Sequence, residues 1–250
     1  MSNKTIVDII LPNYNSNEFL EETLKSILSQ SFKNWRLIIV DDCSSSSTKK
    51  ILRNYSKNKK IKIIFLKKNR GTGFCRNLAL SKCKSKYIAF IDSDDLWTKD
   101  KLKKQINFMK KNNYDFTYTN YLAFKGKDKK FIINPPLIFD YKKFVKNTSI
   151  ATSSMIIKNK IAKKYRFLST KICEDYFYKC SVLKRVKKAH CLNKNLMHYR
   201  IRTGSLQSNK IRNVYWIWKI NKKFNKMNFI ENTVSLISIS FNSLLKYRLK

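Results

Sequence analysis

Residues 87–95, YIAFIDSDD, join a short apolar run to three carboxylates within four positions. Three similar runs precede it along the chain: IVDIIL at 6–11, WRLIIV at 35–40 and IKIIFL at 61–66. Short, continuous runs rich in β-branched residues are typical of strands that are buried on both faces of a sheet. The chain therefore begins with four predicted buried strands.

Amphipathic helix patterns separate these strands, at 17–30, 44–55 and 71–82. We predict Asn17 as the N-cap of the first helix, because its side chain can accept a backbone hydrogen bond there. Alternating strands and helices predict an α/β protein with a mostly parallel sheet flanked by helices. Ligands of such sheets bind at the carboxyl ends of the strands, where polar residues follow three of the four runs.

The pattern after residue 95 is weaker, and no internal repeat is visible. The expected elements are a basic helix at 99–111, a strand pair of 115–124 with the segment near 131–133, a strand at 153–157, a helix at 174–183, one or two short strands in 190–200, and helices at 211–226 and 229–247.

The composition is strongly basic, with 54 Lys and Arg against 16 Asp and Glu and a formal net charge of +38. Such a surface favours nucleic acid, anionic lipid or phosphorylated substrates. An A/T-rich coding sequence would also produce this excess of Lys, Asn and Ile, and the composition leaves both explanations open. The 43% of apolar residues argues against a disordered chain. No apolar run approaches the ~20 residues of a membrane span.

Six cysteines occur without a CxxC pair, and the chain has only two histidines. This pattern argues against a zinc cluster. Because no export signal is visible, we expect reduced, mostly structural thiols in a cytoplasmic protein.

The acidic turn at Asp92, Asp94 and Asp95 is the first candidate for chemistry. Neighbouring carboxylates repel one another, and hard oxygen ligands suit Mg²⁺ or Mn²⁺. We predict these three residues as metal ligands. The alternative is a solvated acidic turn that caps a helix, and the short motif alone does not decide between the two.

Three longer segments place this turn in a wider context. They are residues 7–52, VDIILPNYNSNEFLEETLKSILSQSFKNWRLIIVDDCSSSSTKKIL, residues 69–80, NRGTGFCRNLAL, and residues 86–102, KYIAFIDSDDLWTKDKL. In this order the chain resembles the family 2 glycosyltransferases over residues 5–120. The resemblance implies the GT-A fold, a nucleotide-sugar donor and a metal-binding DxD motif, here Asp92-x-Asp94.

The resemblance also implies roles for particular residues. Donor-contacting positions would be Pro12, Tyr14 and Asn15 beside the nucleoside, Asp41 and Asp42 at the base and ribose, Arg76 and Asn77 at the nucleotide, and Asp92 with Ser93 at the acidic turn. Of the two acids after the second strand, we prefer Asp42 for the base. Two positions depart from the family pattern: Cys43 replaces a common Gly, and Cys75 replaces a common small Ala.

The second half carries an acidic pair, Glu174-Asp175, where family members often show "ED". By this resemblance Asp175 would be the catalytic base that deprotonates the acceptor hydroxyl, with Glu174 beside the substrate. The alternative is that both acids only favour a helix N-terminus.

A basic segment follows this pair. Arg200 and Arg202, with Gly204 and Ser205, resemble a family segment that could close over the donor diphosphate and stabilise the leaving group. His198 would be a metal or phosphate contact, although a lone histidine is more often a packed residue.

The two C-terminal helices form a predicted extension. Ile230, Val234, Ile237, Phe241 and Leu244/Leu245 repeat at helical spacing, and Lys246, Arg248 and Lys250 follow. This apolar stripe could lie in an anionic membrane interface or cover the domain's own core. We expect a catalytic domain at 1–210, with a nucleotide-sugar half at 1–97 and an acceptor half at 98–210, and an extension at 211–250.

The resulting prediction is a metal-dependent, inverting glycosyltransferase. We expect a UDP-sugar donor, a glycan or lipid-linked acceptor in surface polysaccharide or lipopolysaccharide synthesis, Mn²⁺ or Mg²⁺ as cofactor, and a location at the inner face of the cytoplasmic membrane. Two alternatives are a basic nucleic-acid-binding protein, which no nucleic-acid-binding motif supports, and a nucleotidyltransferase on a similar sheet.

Overall fold

A computed structural model describes residues 5–126, 129–170, 172–202 and 210–248. Within these ranges one sheet has ten strands. They are β1 (Val7–Asn13), β2 (Trp35–Asp41), β3 (Ile61–Phe65), β4 (Tyr87–Phe90), β5 (Leu96–Trp97), β6 (Phe116–Lys125), β7 (Lys129–Ile133), β8 (Ile138–Phe139), β9 (Ile156–Lys158) and β10 (Ala189–Arg200).

Nine helices accompany the sheet in the same ranges. They are α1 (Leu20–Leu28), α2 (Ser46–Tyr55), α3 (Thr72–Lys82), α4 (Lys101–Lys111), α5 (Tyr141–Phe144), α6 (Asn159–Ala162), α7 (Glu174–Val186), α8 (Lys210–Ile220) and α9 (Phe229–Arg248). A 3₁₀ turn at Thr152–Ser154 precedes β9, and a π-helical turn at Asn221–Asn225 follows α8.

The strand order in the sheet is β3-β2-β1-β4-β9-β6-β10-β5, with β7 beside β6 and β8 beside β10. The first four strands are parallel, as the apolar runs predict. β9 lies antiparallel between β4 and β6, and β10 runs parallel to β6. The predicted pairing of β6 with β7 is confirmed and is antiparallel.

Each face of the sheet has its own apolar core, which explains why the strands are continuously apolar. Ile10 of β1 belongs to a core that includes residues of α3 and α7. Its neighbours Ile9 and Leu11 belong to the opposite core, with residues of α1 and α4. Because successive side chains of a strand point to opposite faces, a strand covered on both faces needs apolar residues throughout. The α/β class is confirmed.

One local prediction is wrong, and another holds only in part. Asn17 is not an N-cap, because residues 17–19 form a turn and α1 begins at Leu20. The carbonyl of Ser16 accepts hydrogen bonds from the amides of Phe19 and Leu20 at 2.9 and 2.8 Å. The strand predicted at 153–157 begins only at Ile156, because the chain first makes the 3₁₀ turn.

The C-terminal helices pack on the domain, but not through the predicted stripe. Ile217, Ile220 and Ile239 join the core beside α7, whereas the stripe from Ile230 to Leu245 is exposed. The helix α9 therefore does cover part of the domain's own core, but through Ile239 and Leu236 and not through the predicted stripe. No helix of the described residues is both long enough and apolar enough to span a bilayer. The domain limits at 97 and 210 stay predictions.

Candidate active site

The carboxyl ends of β1 and β2 meet in a polar corner. The Asn13 amide donates to Asp41 Oδ1 at 2.7 Å, and the Ser44 backbone amide donates to Asp41 Oδ2 at 3.1 Å. Asn15 adopts a positive φ of 45°, and its backbone amide donates to Ser44 Oγ at 3.0 Å. Asp41 is thus fully buried and fixes the two loops, while Tyr14 beside it is 53% exposed.

Asp42 holds the loop that leads into α3. Its two oxygens accept hydrogen bonds from the backbone amides of Arg70 and Gly71, at 2.6 and 2.7 Å. Gly71 has a φ of 84°, which favours glycine. Cys43, which stands where the family commonly has Gly, keeps a left-handed backbone with a φ of 62°. The departure in sequence therefore leaves a glycine-like turn in place.

The acidic turn after β4 is held from two sides. The Thr23 hydroxyl of α1 donates to the carbonyls of Ser93 and Asp95, at 3.1 and 3.0 Å. Ser153 accepts from the Asp92 amide at 3.0 Å and donates to Asp95 Oδ2 at 2.5 Å. Ser153 makes these contacts from the 3₁₀ turn Thr152–Ser154 that precedes β9.

Negative charge is concentrated at this turn. Burial, followed by the charge of Asp92, raises the pKa of Asp94, while Arg202 acts in the opposite direction. Burial, followed by the charges of Asp94 and Asp92, raises the pKa of Asp95 well above its ordinary value. Removing carboxylates from water and placing them together disfavours their ionised form, which a bound cation would favour.

The residues fit a smaller metal site than the sequence predicts. Asp95 is 1% exposed, and both of its oxygens are used, by Ser153 and by the Arg200 amide. The geometry therefore does not favour Asp95 as a ligand. In the part of the chain that the structure describes, no three His, Cys, Asp or Glu side chains are grouped to hold a metal ion. Mg²⁺ is typically held by one or two carboxylates together with substrate phosphates, and Asp92 and Asp94 suit that arrangement.

Two arginines from the end of β10 lie against the acidic turn. Arg202 Nε is 2.7 Å from Asp94 Oδ2, and Arg200 Nε donates to the Asp94 carbonyl at 2.9 Å. Both guanidinium groups lie over the Phe19 ring, at 4.7 and 5.3 Å for Arg200 and Arg202. The predicted partners Gly204 and Ser205 lie outside the described residues.

Arg76 joins the acidic turn to α7. Its Nη2 donates to Asp92 Oδ1 at 2.6 Å, and its Nη1 donates to Glu174 Oε1 at 2.5 Å. The Arg76 side chain is 4% exposed. Burial opposes its charge, but Asp92 and Glu174 outweigh burial and raise its pKa. One guanidinium therefore connects acids that are 82 positions apart in the sequence.

Asp175, the predicted base, lies next to this connection. Burial raises its pKa, but the charge of Lys179 and that of Arg76 outweigh burial and lower it. Its Oδ2 accepts from Thr152 Oγ1 at 2.7 Å and from Lys179 Nζ at 2.6 Å. The side chain is 18% exposed, so a carboxylate that stays ionised at neutral pH faces the site.

The loop before α7 packs closely on α3. Asn77 uses both polar atoms on the backbone of Phe167, at 2.9 Å each. A Cβ on Gly73 would lie 2.1 Å from the Leu168 carbonyl oxygen and 3.3 Å from the Glu174 Cβ. Gly73 thus permits the close approach that positions the acidic pair. The prediction that Asn77 contacts the nucleotide stays a prediction.

His198 lies in β10, where its ring contacts Phe124 at 6.4 Å between centroids. Burial, followed by the charge of Lys130, lowers its pKa, which favours a neutral ring. These contacts are those of a packed aromatic residue.

Sequence reasoning missed three residues that hold the acids: Ser153, Thr152 and Lys179. The position of Lys179, four residues after Asp175 on a helix, was a usable signal, since such pairs face each other. No local pattern marked Thr152 and Ser153, because their partners come from other parts of the chain.

The fold that carries this site is also found in solved structures of other proteins. S. aureus TarS, solved with UDP-GlcNAc, matches 98% of this chain and 76% of its own with a TM-score of 0.76 and 21% identity. This likeness shows the fold, and with the sequence relatives it defines a glycosyltransferase of the GT-A fold.

The chain belongs to Glycosyl transferase family 2, whose sequence profile matches residues 8–186. The "Putative teichuronic acid biosynthesis glycosyltransferase TuaG" of Bacillus subtilis is 32% identical over 97% of this chain and 98% of its own. The Escherichia coli "UDP-Glc:alpha-D-GlcNAc-diphosphoundecaprenol beta-1,3-glucosyltransferase WfgD" is 30% identical over 96% and 92%.

Proposed function

We propose that this glycosyltransferase moves a sugar from a UDP-sugar to a hydroxyl of a lipid-linked glycan, with inversion at the anomeric carbon. The observation that carries the proposal is the continuous charge network Asp92–Arg76–Glu174, with Asp175 adjacent. It brings a donor-side acid and a candidate base into one site. Such proximity is what a direct displacement between two bound substrates requires.

The donor nucleoside would bind at the corner formed by Pro12, Tyr14, Asn15, Asp41 and Asp42. The exposed Tyr14 ring offers a surface for the base. Asp41 and Asp42 already accept backbone or amide hydrogen bonds, so their fixed carboxylates are oriented without further ordering. A carboxylate oxygen can accept a second hydrogen bond, so Asp42 would take one from the base or ribose. The fully buried Asp41, like Asp95, would hold the loops in place instead.

The donor diphosphate would lie at the acidic turn. Asp92 and Asp94 would hold Mn²⁺ or Mg²⁺, with Ser93 between them at the donor. When bound, such an ion neutralises the diphosphate and eases its departure. Arg202, now paired with Asp94, and Arg200 would stabilise the negative charge that develops on the leaving group.

Asp175 would take the proton of the acceptor hydroxyl while that oxygen attacks the anomeric carbon and the bond to the UDP oxygen breaks. Its lowered pKa keeps it ionised at neutral pH, and a positioned base typically contributes about 10²–10⁴-fold. Arg76 and Glu174 would hold α7 so that the base faces the donor. The lipid-linked acceptor is proposed from the full-length similarity to WfgD, whose name specifies one.

The test separates donor binding from transfer. UDP affinity with and without Mn²⁺ is measured by calorimetry, and transfer from UDP-glucose and UDP-GlcNAc to a diphospholipid-linked GlcNAc is measured by product analysis. D175N should keep the UDP affinity and lose about 10²–10⁴-fold in transfer. D94N should lose the part of the affinity that depends on Mn²⁺.

Asp115→Asn is the matched control, because this acid lies at the start of β6 and pairs with Lys158. It should leave both readouts unchanged. Normal transfer by D175N would remove Asp175 as the base, and failure of the wild-type chain to bind UDP would overturn the proposed donor.

A further inference from the structure

The last helix turns its apolar side to solvent. We name this side the C-terminal apolar stripe: Ile230, Val234, Ile237, Phe241, Leu244 and Leu245, whose exposed fractions range from 40% to 73%. Spacings of three and four residues place these side chains on one face of α9. A contiguous exposed apolar face of this kind marks an interaction surface more often than scattered single residues do.

The opposite side of α9 holds the helix to the protein, through polar residues and the buried Ile239. Ser235 is buried, and its hydroxyl donates to the Val145 carbonyl at 2.6 Å. Asn232 is buried and donates to the Trp218 carbonyl at 3.1 Å. Because these bonds fix the orientation of α9, the stripe is exposed by the way the helix is attached.

The sequence that carries the stripe is basic. Residues 210–250 contain nine Lys or Arg and a single acid, Glu231. That acid accepts from the Asn228 amide at 3.0 Å, and its own amide donates to Asn228 Oδ1 at 2.8 Å, at the start of α9. Three exposed lysines, Lys222, Lys223 and Lys226, precede the helix.

We propose that the C-terminal apolar stripe docks into the interface of an anionic lipid bilayer, with α9 lying along the surface. Apolar side chains would enter the boundary between headgroups and acyl chains, and the lysines would meet anionic headgroups. A second copy of this chain would bring the same basic segment to the contact. Charge complementarity therefore favours an anionic surface over self-association.

The stripe is tied to the side of the protein that carries the candidate base. The Tyr176 hydroxyl of α7 donates to Asn221 Oδ1 at 2.8 Å, and the Asn221 side-chain amide donates to Asn232 Oδ1 of α9 at 3.0 Å. Docking through α9 would therefore involve an element that is linked through Asn221 to the first turn of α7. The consequence for a lipid-linked acceptor depends on the proposed function, but the docking itself does not.

The experiment is co-sedimentation of the full chain with vesicles, without any substrate. Vesicles of phosphatidylcholine alone are compared with equal parts of phosphatidylcholine and phosphatidylglycerol. The test variant is I237E/F241E, which places charges at the centre of the stripe. The control is Leu137→Glu, because Leu137 is 61% exposed, like Ile237 at 65%, but lies before β8.

We expect binding to the anionic vesicles, about a tenfold or larger loss of affinity in I237E/F241E, and no loss in L137E. Sedimentation velocity of the same variants gives the oligomeric state. The proposal is overturned if the wild-type chain does not bind, if the double variant binds equally well, or if the stripe variants instead convert a dimer to a monomer with unchanged vesicle binding. Failed transfer activity would leave these outcomes unaffected.

Discussion

Replacing Arg76 by Met tests the network that connects the two halves of the site. Met retains much of the apolar stem but removes the charge between Asp92 and Glu174, whose side chains are 33% and 14% exposed. Removing one partner of a buried ion pair typically costs about 3–5 kcal/mol, because the other charge stays buried without compensation. In a chain of this size each kcal/mol lowers Tm by about 2–4 °C, so we expect a fall of about 6–20 °C.

The cause of this loss can be tested through pH. Burial already raises the pKa of Glu174, and Arg76 opposes that rise. Without Arg76, the folded pKa of Glu174 lies further above its unfolded value, so the folded state binds a proton that the unfolded state releases. The stability deficit of R76M relative to the wild-type chain should therefore be smallest at low pH and grow as the pH rises through that interval.

Chemical denaturation across this pH range is the assay. R76M/E174Q should recover part of the lost stability, because Gln leaves no unpaired charge in the protein interior. Arg53→Met is the control, since Arg53 is exposed on α2, and it should change the stability by less than about 0.5 kcal/mol. A loss below about 1 kcal/mol in R76M, or no coupling to E174Q, would refute the reasoning.

Three further predictions follow from the described geometry. C43G should stabilise the protein by about 1 kcal/mol or less in urea titrations, because it relieves a left-handed backbone; a loss of stability would contradict this. G73A should lower the free energy of unfolding by about 1–3 kcal/mol and weaken transfer, because the new Cβ would clash with the Leu168 carbonyl. An unchanged Tm would show that the loop before α7 can move away without cost. K179M removes the charge that lowers the pKa of Asp175, so the acidic limb of the kcat–pH profile should move to higher pH; an unmoved limb would argue against Asp175 as the titrating base.

The sequence was most informative where one residue type recurs at a fixed period. The four apolar runs correspond to β1, β2, β3 and β4, and they needed no knowledge of their partners. The two-residue strands β5 and β8 escaped prediction because they are too short to show a period. Asn17 is not a cap because the turn before α1 is held by backbone hydrogen bonds to the Ser16 carbonyl, and not by the Asn17 side chain.

In the candidate site too, the sequence predicts where the acids lie but not what surrounds each of them. Five acids lie at strand ends, as the local pattern predicts: Asp41, Asp42, Asp92, Asp94 and Asp95. Glu174 and Asp175 begin α7, and the seven together are almost half of the sixteen acidic residues of this basic chain. Their individual surroundings do not follow from the local pattern. Asp95 looks equivalent to Asp94 in the sequence, yet its oxygens are used by Ser153 and Arg200.

The sequence by itself determined the α/β class, the family and the edge of the sheet at which the acids gather, because periodicity and motif order are properties of neighbouring residues. Only the tertiary structure decided that Arg76 joins Asp92 to Glu174 and that α9 packs through Asn232, Ser235 and Ile239 while its predicted stripe stays exposed. Both outcomes depend on contacts between distant segments, where burial makes a hydrogen bond or an ion pair worth more than the local preference of either residue.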